Sequence, residues 1–257
     1  MAQQITGQSA TPTACQGGTS YTVEGGVFVV QFRAPYSPLD MALIQIIEQA
    51  LGFAPRHEYR GRLDQLHVYV MNNMGGKSMY MARIELQVDD YRLLRVTIDD
   101  YASCARDFLS ASTRRWTVSS PQLPDLFAED WPLVPNHLDL FENNIHVDTA
   151  TGKIAGICDW RSVEISPFGM SLGFLEIMLG TLTTTGDGWR YHPNHGELRD
   201  QFWATFYKCL GGASDEQKRR IEAARRIGLF LANGFQNGHP ATEESEDLRF
   251  LGAVILN

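Results

Sequence analysis

Residues 137–160 constrain the fold more than any other stretch of the chain. His137-Leu-Asp139-Leu-Phe-Glu-Asn143-Asn144 leads into Ile145-His-Val-Asp148, then Thr149-Ala-Thr-Gly152, then Ile154-Ala-Gly-Ile-Cys-Asp159-Trp160. Two short β-rich runs around a turn predict a hairpin. Asp139 and Asn144 stand five apart in a loop before the first run, and Asp159 ends the second, fifteen residues beyond Asn144. The returning strand therefore brings Asp159 close to Asn144. Hard oxygen ligands gathered in this way suit Mg²⁺ bridging substrate phosphates. Asp139 is left free to orient a hydroxyl or to accept its proton. Asp and Asn are common in turns for local hydrogen-bonding reasons, so neither residue alone means much. The joint pattern carries the signal: the His-x-Asp start, the five-residue spacing, a strand on each side and the closing Asp-Trp.

The chain has 257 residues, enough for one large or two small domains. Apolar residues make up 44% and charged residues 20%, which excludes disordered, collagen-like and coiled-coil classes. The net charge of −8 argues against nucleic acid as a partner, because neutralising phosphates needs a basic surface. It suits a small cationic substrate, and equally suits solubility alone. Apolar runs are too short to span a bilayer, and the N-terminus lacks a basic start and an apolar stretch, so neither membrane nor secretion is expected. Cys15, Cys104, Cys158 and Cys209 form no Cys-x-x-Cys pair. They read as small reduced core residues of a cytoplasmic protein.

Tyr21-Thr-Val and Val27 to Phe32 read as a hairpin about Glu24-Gly25-Gly26. Leu39, Leu43, Ile46, Ile47 and Leu51 recur at helical spacing, with Asp40 in the first turn and Gly52 as the stop. Leu66–Met71 reads as a strand and residues 72–76 as a loop. Strands dominate before this loop and helices after it, so residues 1–71 are expected as a small lobe and 72–257 as a helical lobe. Helices are predicted over 91–112, 174–182, 197–210 and 215–233, with an irregular crossing marked by Pro121, Pro124, Pro132 and Pro135.

The segment from Val134 through Trp160, with Ser166-Pro-Phe-Gly-Met-Ser, resembles the phosphotransferase motif of aminoglycoside phosphotransferases and choline kinase-like enzymes, and most closely that of filamentous-fungal members. The resemblance extends over residues 15–180. It implies an α+β fold of two protein-kinase-like lobes, a small antiparallel sheet and a larger helical lobe. It implies transfer of a phosphoryl group from ATP, with Mg²⁺, to a hydroxyl of a small molecule that can be cationic. Asp139 would be the catalytic aspartate, Asn144 and Asp159 would hold the metal, His137 would brace the loop and Trp160 would pack beneath it. In the small lobe, Arg33 ends a strand that normally presents a basic side chain to the phosphates, and Glu48 is the acid best placed to partner it. Glu58 is the weaker candidate, since it follows Gly52 and Pro55. Gly17-Gly18-Thr-Ser resembles a phosphate-covering turn, with backbone N–H groups aimed at anions. Met71 and Asn73 fall in the inter-lobe hinge, where backbone groups would bind the adenine edge.

Two positions depart from the family pattern. Leu138 replaces a glycine, and it would be strained if that position needs a positive φ. Arg33 replaces a lysine, to which it is not equivalent. A second reading therefore stands beside the first: a kinase-like scaffold that binds without transferring phosphate, or one that uses the cleft for other chemistry. Lys77-Ser78 after Gly75-Gly76 lacks P-loop spacing. His192 and His195 are too few for a metal site. Lys218-Arg-Arg220 and Arg225-Arg226 read as a solvated basic face, and the acidic run Glu243 to Asp247 likewise as solvated surface.

Overall fold

Alternating apolar residues build the first half of the chain into a sheet. In the computed structural model, which describes residues 2–110, 126, 130–183, 189–236, 239–242 and 245–255, a short helix α1 (Ala2–Thr6) precedes strands β1 (Thr11–Pro12), β2 (Ser20–Gly25) and β3 (Phe28–Arg33). Helix α2 (Met41–Ala50) follows, then β4 (His57–Leu63) and β5 (Leu66–Asn72). The five strands form one antiparallel sheet in the order β1-β2-β3-β5-β4. Val23, Val30, Val68 and Val70 cover one face, with Ile5 of α1 packed against them. Tyr69 turns to the other face, and its hydroxyl accepts from the Leu39 N–H at 3.0 Å. Asp40 is the N-cap of α2 rather than a first-turn residue. Its Oδ1 accepts from the Ala42 and Leu43 N–H groups. Strand β4 has no counterpart in the sequence reading. Its pattern of mostly exposed residues hides the period, because it is an edge strand.

The second half hangs on helix α3 (Arg83–Ser110), which reads as one helix but breaks at Val88–Tyr91. Asp89, Asp90 and Tyr91 all have φ between +53° and +59°, so the regular helix begins just after Tyr91, where the sequence placed its first residue. Tyr101, Ile98 and Leu94 of α3 are buried against Phe202 and Phe206 of α5 (His195–Cys209). Helices α6 (Asp215–Asn233) and α7 (Glu246–Ile255) complete the lobe, and a Ser214/Gln217 capping box starts α6. The helix expected over 174–182 is mostly something else: a 3₁₀ turn (Met170–Phe174), one turn of α4 (Leu175–Met178), and β11 (Gly180–Leu182) paired with β12 (Trp189–Tyr191). Glycines explain this. A Cβ on Gly173 would fall 2.5 Å from Leu229 Cγ, and one on Gly180 2.5 Å from the Arg190 carbonyl oxygen, so both mark close approaches rather than helix. The end of the helix predicted to Ser112, Pro121, Pro124, and Glu243-Glu244 lie outside the described residues.

Three further pieces build the platform between the halves. Strand β7 (Leu133–His137) pairs with β10 (Val163–Pro167), so the stretch with Pro132 and Pro135 holds a strand where an irregular crossing was expected. Strand β6 (Lys77–Ser78) joins the hairpin of β8 (Ile145–Val147) and β9 (Ile154–Ile157). The hairpin's tip is seated on α3. Gly152, at φ +80°, lies so close that a Cβ there would fall 2.4 Å from the Leu93 carbonyl oxygen. Thr97 Oγ1 donates to the Gly152 carbonyl at 2.6 Å.

Candidate active site

The β8–β9 hairpin brings the two arms of the motif together. Ile145 pairs with Ile157, and the Cys158 N–H donates to the Asn144 carbonyl at 2.8 Å, so Asn144 and Asp159 sit at the hairpin's open end. Asn144 Nδ2 donates to the Asp139 carbonyl at 2.6 Å and, more distantly, to Asp139 Oδ2 at 3.4 Å. This fixes the amide nitrogen toward the loop, and Oδ1 has no hydrogen-bond partner among the described residues. Asp139, Asn144 and Asp159 all line one cavity of about 650 Å³, a size suited to a nucleotide-scale ligand.

The loop that carries Asp139 is pinned from beneath. Asn136 is buried. Its Nδ2 donates to Ser166 Oγ at 2.9 Å, and its Oδ1 accepts from the Ser171 N–H and hydroxyl, both at 3.0 Å. The His137 N–H donates to Ser171 Oγ at 2.9 Å. The fully buried His137 ring accepts from the Asp139 N–H at Nδ1, 3.2 Å, so its Nε2 carries the proton and donates to the Cys158 carbonyl at 2.9 Å. Burial lowers its pKa, in keeping with a neutral ring. One imidazole thus ties the Asp139 loop to the residue before Asp159, as the bracing expectation for His137 required. Trp160 packs edge-on to it at 4.8 Å and donates to the Ile157 carbonyl at 2.7 Å. Asn136 and Ser171 were not singled out in the sequence, because a buried asparagine there reads as an ordinary loop residue.

Leu138 is not among the residues with positive φ. Its N–H donates to the Ser162 carbonyl at 2.9 Å, and the strain that a leucine would suffer in a glycine position does not arise. The strained residue is Asp159 itself, at φ 55° and ψ 55°. Burial, then the neighbouring charge of Asp159, pushes the Asp139 carboxyl up to about 6, against a smaller lowering by Asn144.

The small lobe meets some expectations and corrects others. Gly17, Met71 and Asn73 line the cavity, whereas Gly18 does not. The Asn73 N–H donates to the Val27 carbonyl at 2.8 Å, so its carbonyl is the backbone group left for a ligand. Glu48 does not pair with Arg33. Its Oε1 accepts from the His57 N–H at 2.7 Å and lies 3.0 Å from His57 Nδ1. The backbone turn after α2 delivers the start of β4 to that helix, nine residues on from Glu48, a pairing that helix spacing alone could not reveal. Arg33 pairs instead with Asp159, at 3.2 Å between Nη1 and Oδ1, and does not line the cavity. Cys15 is exposed in the glycine turn rather than in the core, 3.8 Å from Asn143 Oδ1. All four cysteines are free, and no described helix is long and apolar enough to cross a membrane.

His192 and His195 lie apart from this cavity, packed against Tyr91 and Tyr191. Arg225 is not a solvated surface residue. It is largely buried between Glu176 and Glu222.

No family model matches the sequence, and a search of curated proteins finds no relative. Solved structures share the fold. Plasmodium vivax ethanolamine kinase is 12% identical, with a TM-score of 0.55 over 96% of this chain and 81% of that one. An aminoglycoside-3'-phosphotransferase of type VIII is 17% identical, with a TM-score of 0.52 over 87% and 96%. An aminoglycoside phosphotransferase from Streptomyces rimosus, in complex with ADP and streptomycin, is 13% identical, with a TM-score of 0.50 over 87% and 93%. The chain therefore has the two-lobed α+β fold of these small-molecule kinases.

Proposed function

We propose that this chain is a phosphotransferase that moves the γ-phosphoryl group of ATP onto a hydroxyl of a small molecule. The observation that carries the reading is the meeting of Asp139, Asn144 and Asp159 on one cavity, with Gly17 of the glycine turn and Met71 and Asn73 of the hinge on its other walls. In this reading residues 1–71 form the nucleotide lobe, 72–257 the catalytic lobe, and adenine lies along Met71 and Asn73.

The acceptor hydroxyl lies against Asp139. Its oxygen attacks the γ-phosphorus, the bond to the β-phosphate oxygen breaks with its electron pair leaving on ADP, and the hydroxyl proton passes to the Asp139 carboxylate. The residues present fit Mg²⁺. Among the described residues Asn144 Oδ1 is unpartnered, and Asp159 has Oδ1 bound to Arg33 with Oδ2 unpaired. Two hard oxygen ligands match an ion that keeps several waters and takes phosphate oxygens as its other ligands. Bound there, Mg²⁺ would neutralise developing phosphate charge.

Thermal-shift titration tests the proposal. ATP with Mg²⁺ is expected to raise the melting temperature clearly, ATP with chelator only slightly, and Mg²⁺ alone least. Binding at a hundredfold excess over the dissociation constant stabilises by about 2.7 kcal/mol. A flat response to millimolar Mg-ATP sinks the reading. The second reading, a nucleotide-binding scaffold, draws on Arg33 standing behind Asp159 and on Lys77, the lysine that lines the cavity, being paired with Glu85 at 2.8 Å. It would show as Mg-ATP binding that Asp159→Asn weakens, with no ATP turnover that Asp139→Asn abolishes.

A further inference from the structure

We infer that Arg33 is a positioning residue, which holds Asp159 and ties it to the glycine turn instead of gripping phosphate itself. The inference rests on the phosphotransferase reading for its functional consequence, though not for its geometry.

Arg33 is 1% exposed. Its Nε donates to the Ser37 carbonyl at 2.9 Å and Nη2 to Ser37 Oγ at 3.1 Å. Nη1 donates to Gln31 Oε1 at 2.7 Å and to Asp159 Oδ1 at 3.2 Å. An arginine has five N–H donors, and four are spent here on the protein. A side chain committed in this way has one N–H left for a phosphate and no open path to it.

Two of its partners lead to one place. The Ser37 hydroxyl donates to Thr19 Oγ1 at 3.1 Å, and the Ala34 N–H donates to the Thr19 carbonyl at 2.9 Å. Gln31 Nε2 donates to Ser20 Oγ at 3.3 Å. Thr19 and Ser20 close the turn that begins at Gly17-Gly18. Arg33 therefore links the end of that turn to Asp159, 126 residues away in sequence. At the far end it takes Oδ1 of a carboxylate whose backbone is left-handed and leaves Oδ2 for another ligand. Glu48 takes no part, so the brace runs from β3 to the residue that follows the β8–β9 hairpin and bypasses α2.

Two measurements test this. The first is a double-mutant cycle on the melting temperature of the unligated protein, with Arg33→Lys and Asp159→Asn. Lysine keeps the charge and loses the fork. The loss from Arg33→Lys is expected to shrink by at least about half in the Asp159→Asn background, as for any coupled pair. Additive losses overturn the inference. The second is calorimetric ATP binding with Mg²⁺ and with chelator, on Arg33→Lys and on Ser37→Ala. The gain in affinity that Mg²⁺ brings is expected to fall about tenfold, the usual size of an outer-shell effect on a metal site, with chelated ATP binding unchanged. An equal loss with and without Mg²⁺ means that Arg33 contacts phosphate directly, and overturns the inference. Ser37→Ala leaves the ion pair intact and carries the binding test if Arg33→Lys fails to fold. If the wild-type protein binds no ATP, the phosphotransferase reading fails, and the cycle alone still decides whether Arg33 holds Asp159.

Discussion

Asp139 is a carboxyl group placed where its charge is disfavoured. Burial and the charge of Asp159 raise it to about 6, above the range of an unfolded chain. A raised acid contributes most stability below its unfolded value, near pH 4, and that contribution is lost as pH rises through the folded value. An asparagine at this position cannot ionise. Asp139→Asn is therefore expected to stabilise the unligated protein at pH 8 by on the order of 2 kcal/mol while abolishing the proposed phosphoryl transfer. The gap should close as pH falls toward 4. Calorimetric melts at pH 4, 6 and 8 check this, and a mutant less stable than wild type at pH 8 would show Asp139 to be structural. The same residue shows how much of the site was legible. The five-residue spacing and the hairpin placed Asp139, Asn144 and Asp159 together correctly. Arg33 was read with the wrong partner, because spacing along the chain points to the next helix and cannot see a carboxylate 126 residues on.

At the scale of elements, short-range signals served and contact-driven ones did not. Helix α6 runs over residues 215–233, as the sequence indicated, and α2 starts one residue after its cap. Asp40→Ala removes the acceptor for two N–H groups and is expected to cost about 1 kcal/mol, measured as a shift in the urea midpoint at constant slope. Any larger loss would mean that Asp40 does more than cap. Strand β4 and the β11–β12 pair were missed. Edge exposure blurs the first, and the second depends on where α6 and Arg190 approach glycines, which no local pattern records.

Across the whole molecule, Glu176 ties the helical lobe together. It is 3% exposed, and it meets Arg199 at 2.8 Å, Arg225 at 3.3 Å and the Tyr191 hydroxyl at 3.0 Å. These partners come from α5, α6 and β12, so one carboxylate joins three elements to α4. Glu176→Ala leaves Arg225 buried beside Arg199 with a smaller share of negative charge, and should cost about 3–5 kcal/mol by chemical denaturation. A loss below about 1 kcal/mol would place the cluster in water in solution. The two-lobed plan was legible because strands precede helices along the chain. The packing that joins the helices was not, since Arg225 reads as one more surface cation.

Gly152 lies outside the cavity, yet the hairpin seated there carries Asn144 at one root and Asp159 at the other. Gly152→Ala would force a Cβ against the Leu93 carbonyl on a backbone that L-residues resist, at about 1–3 kcal/mol, and would lift the tip from α3. Both roots would tilt with it. In a mutational screen scored on the proposed turnover alone, this distant glycine would rank beside Asp139. Only a melting curve taken in parallel, lowered for Gly152→Ala and raised for Asp139→Asn, would separate a displaced lever from the loss of the proposed base.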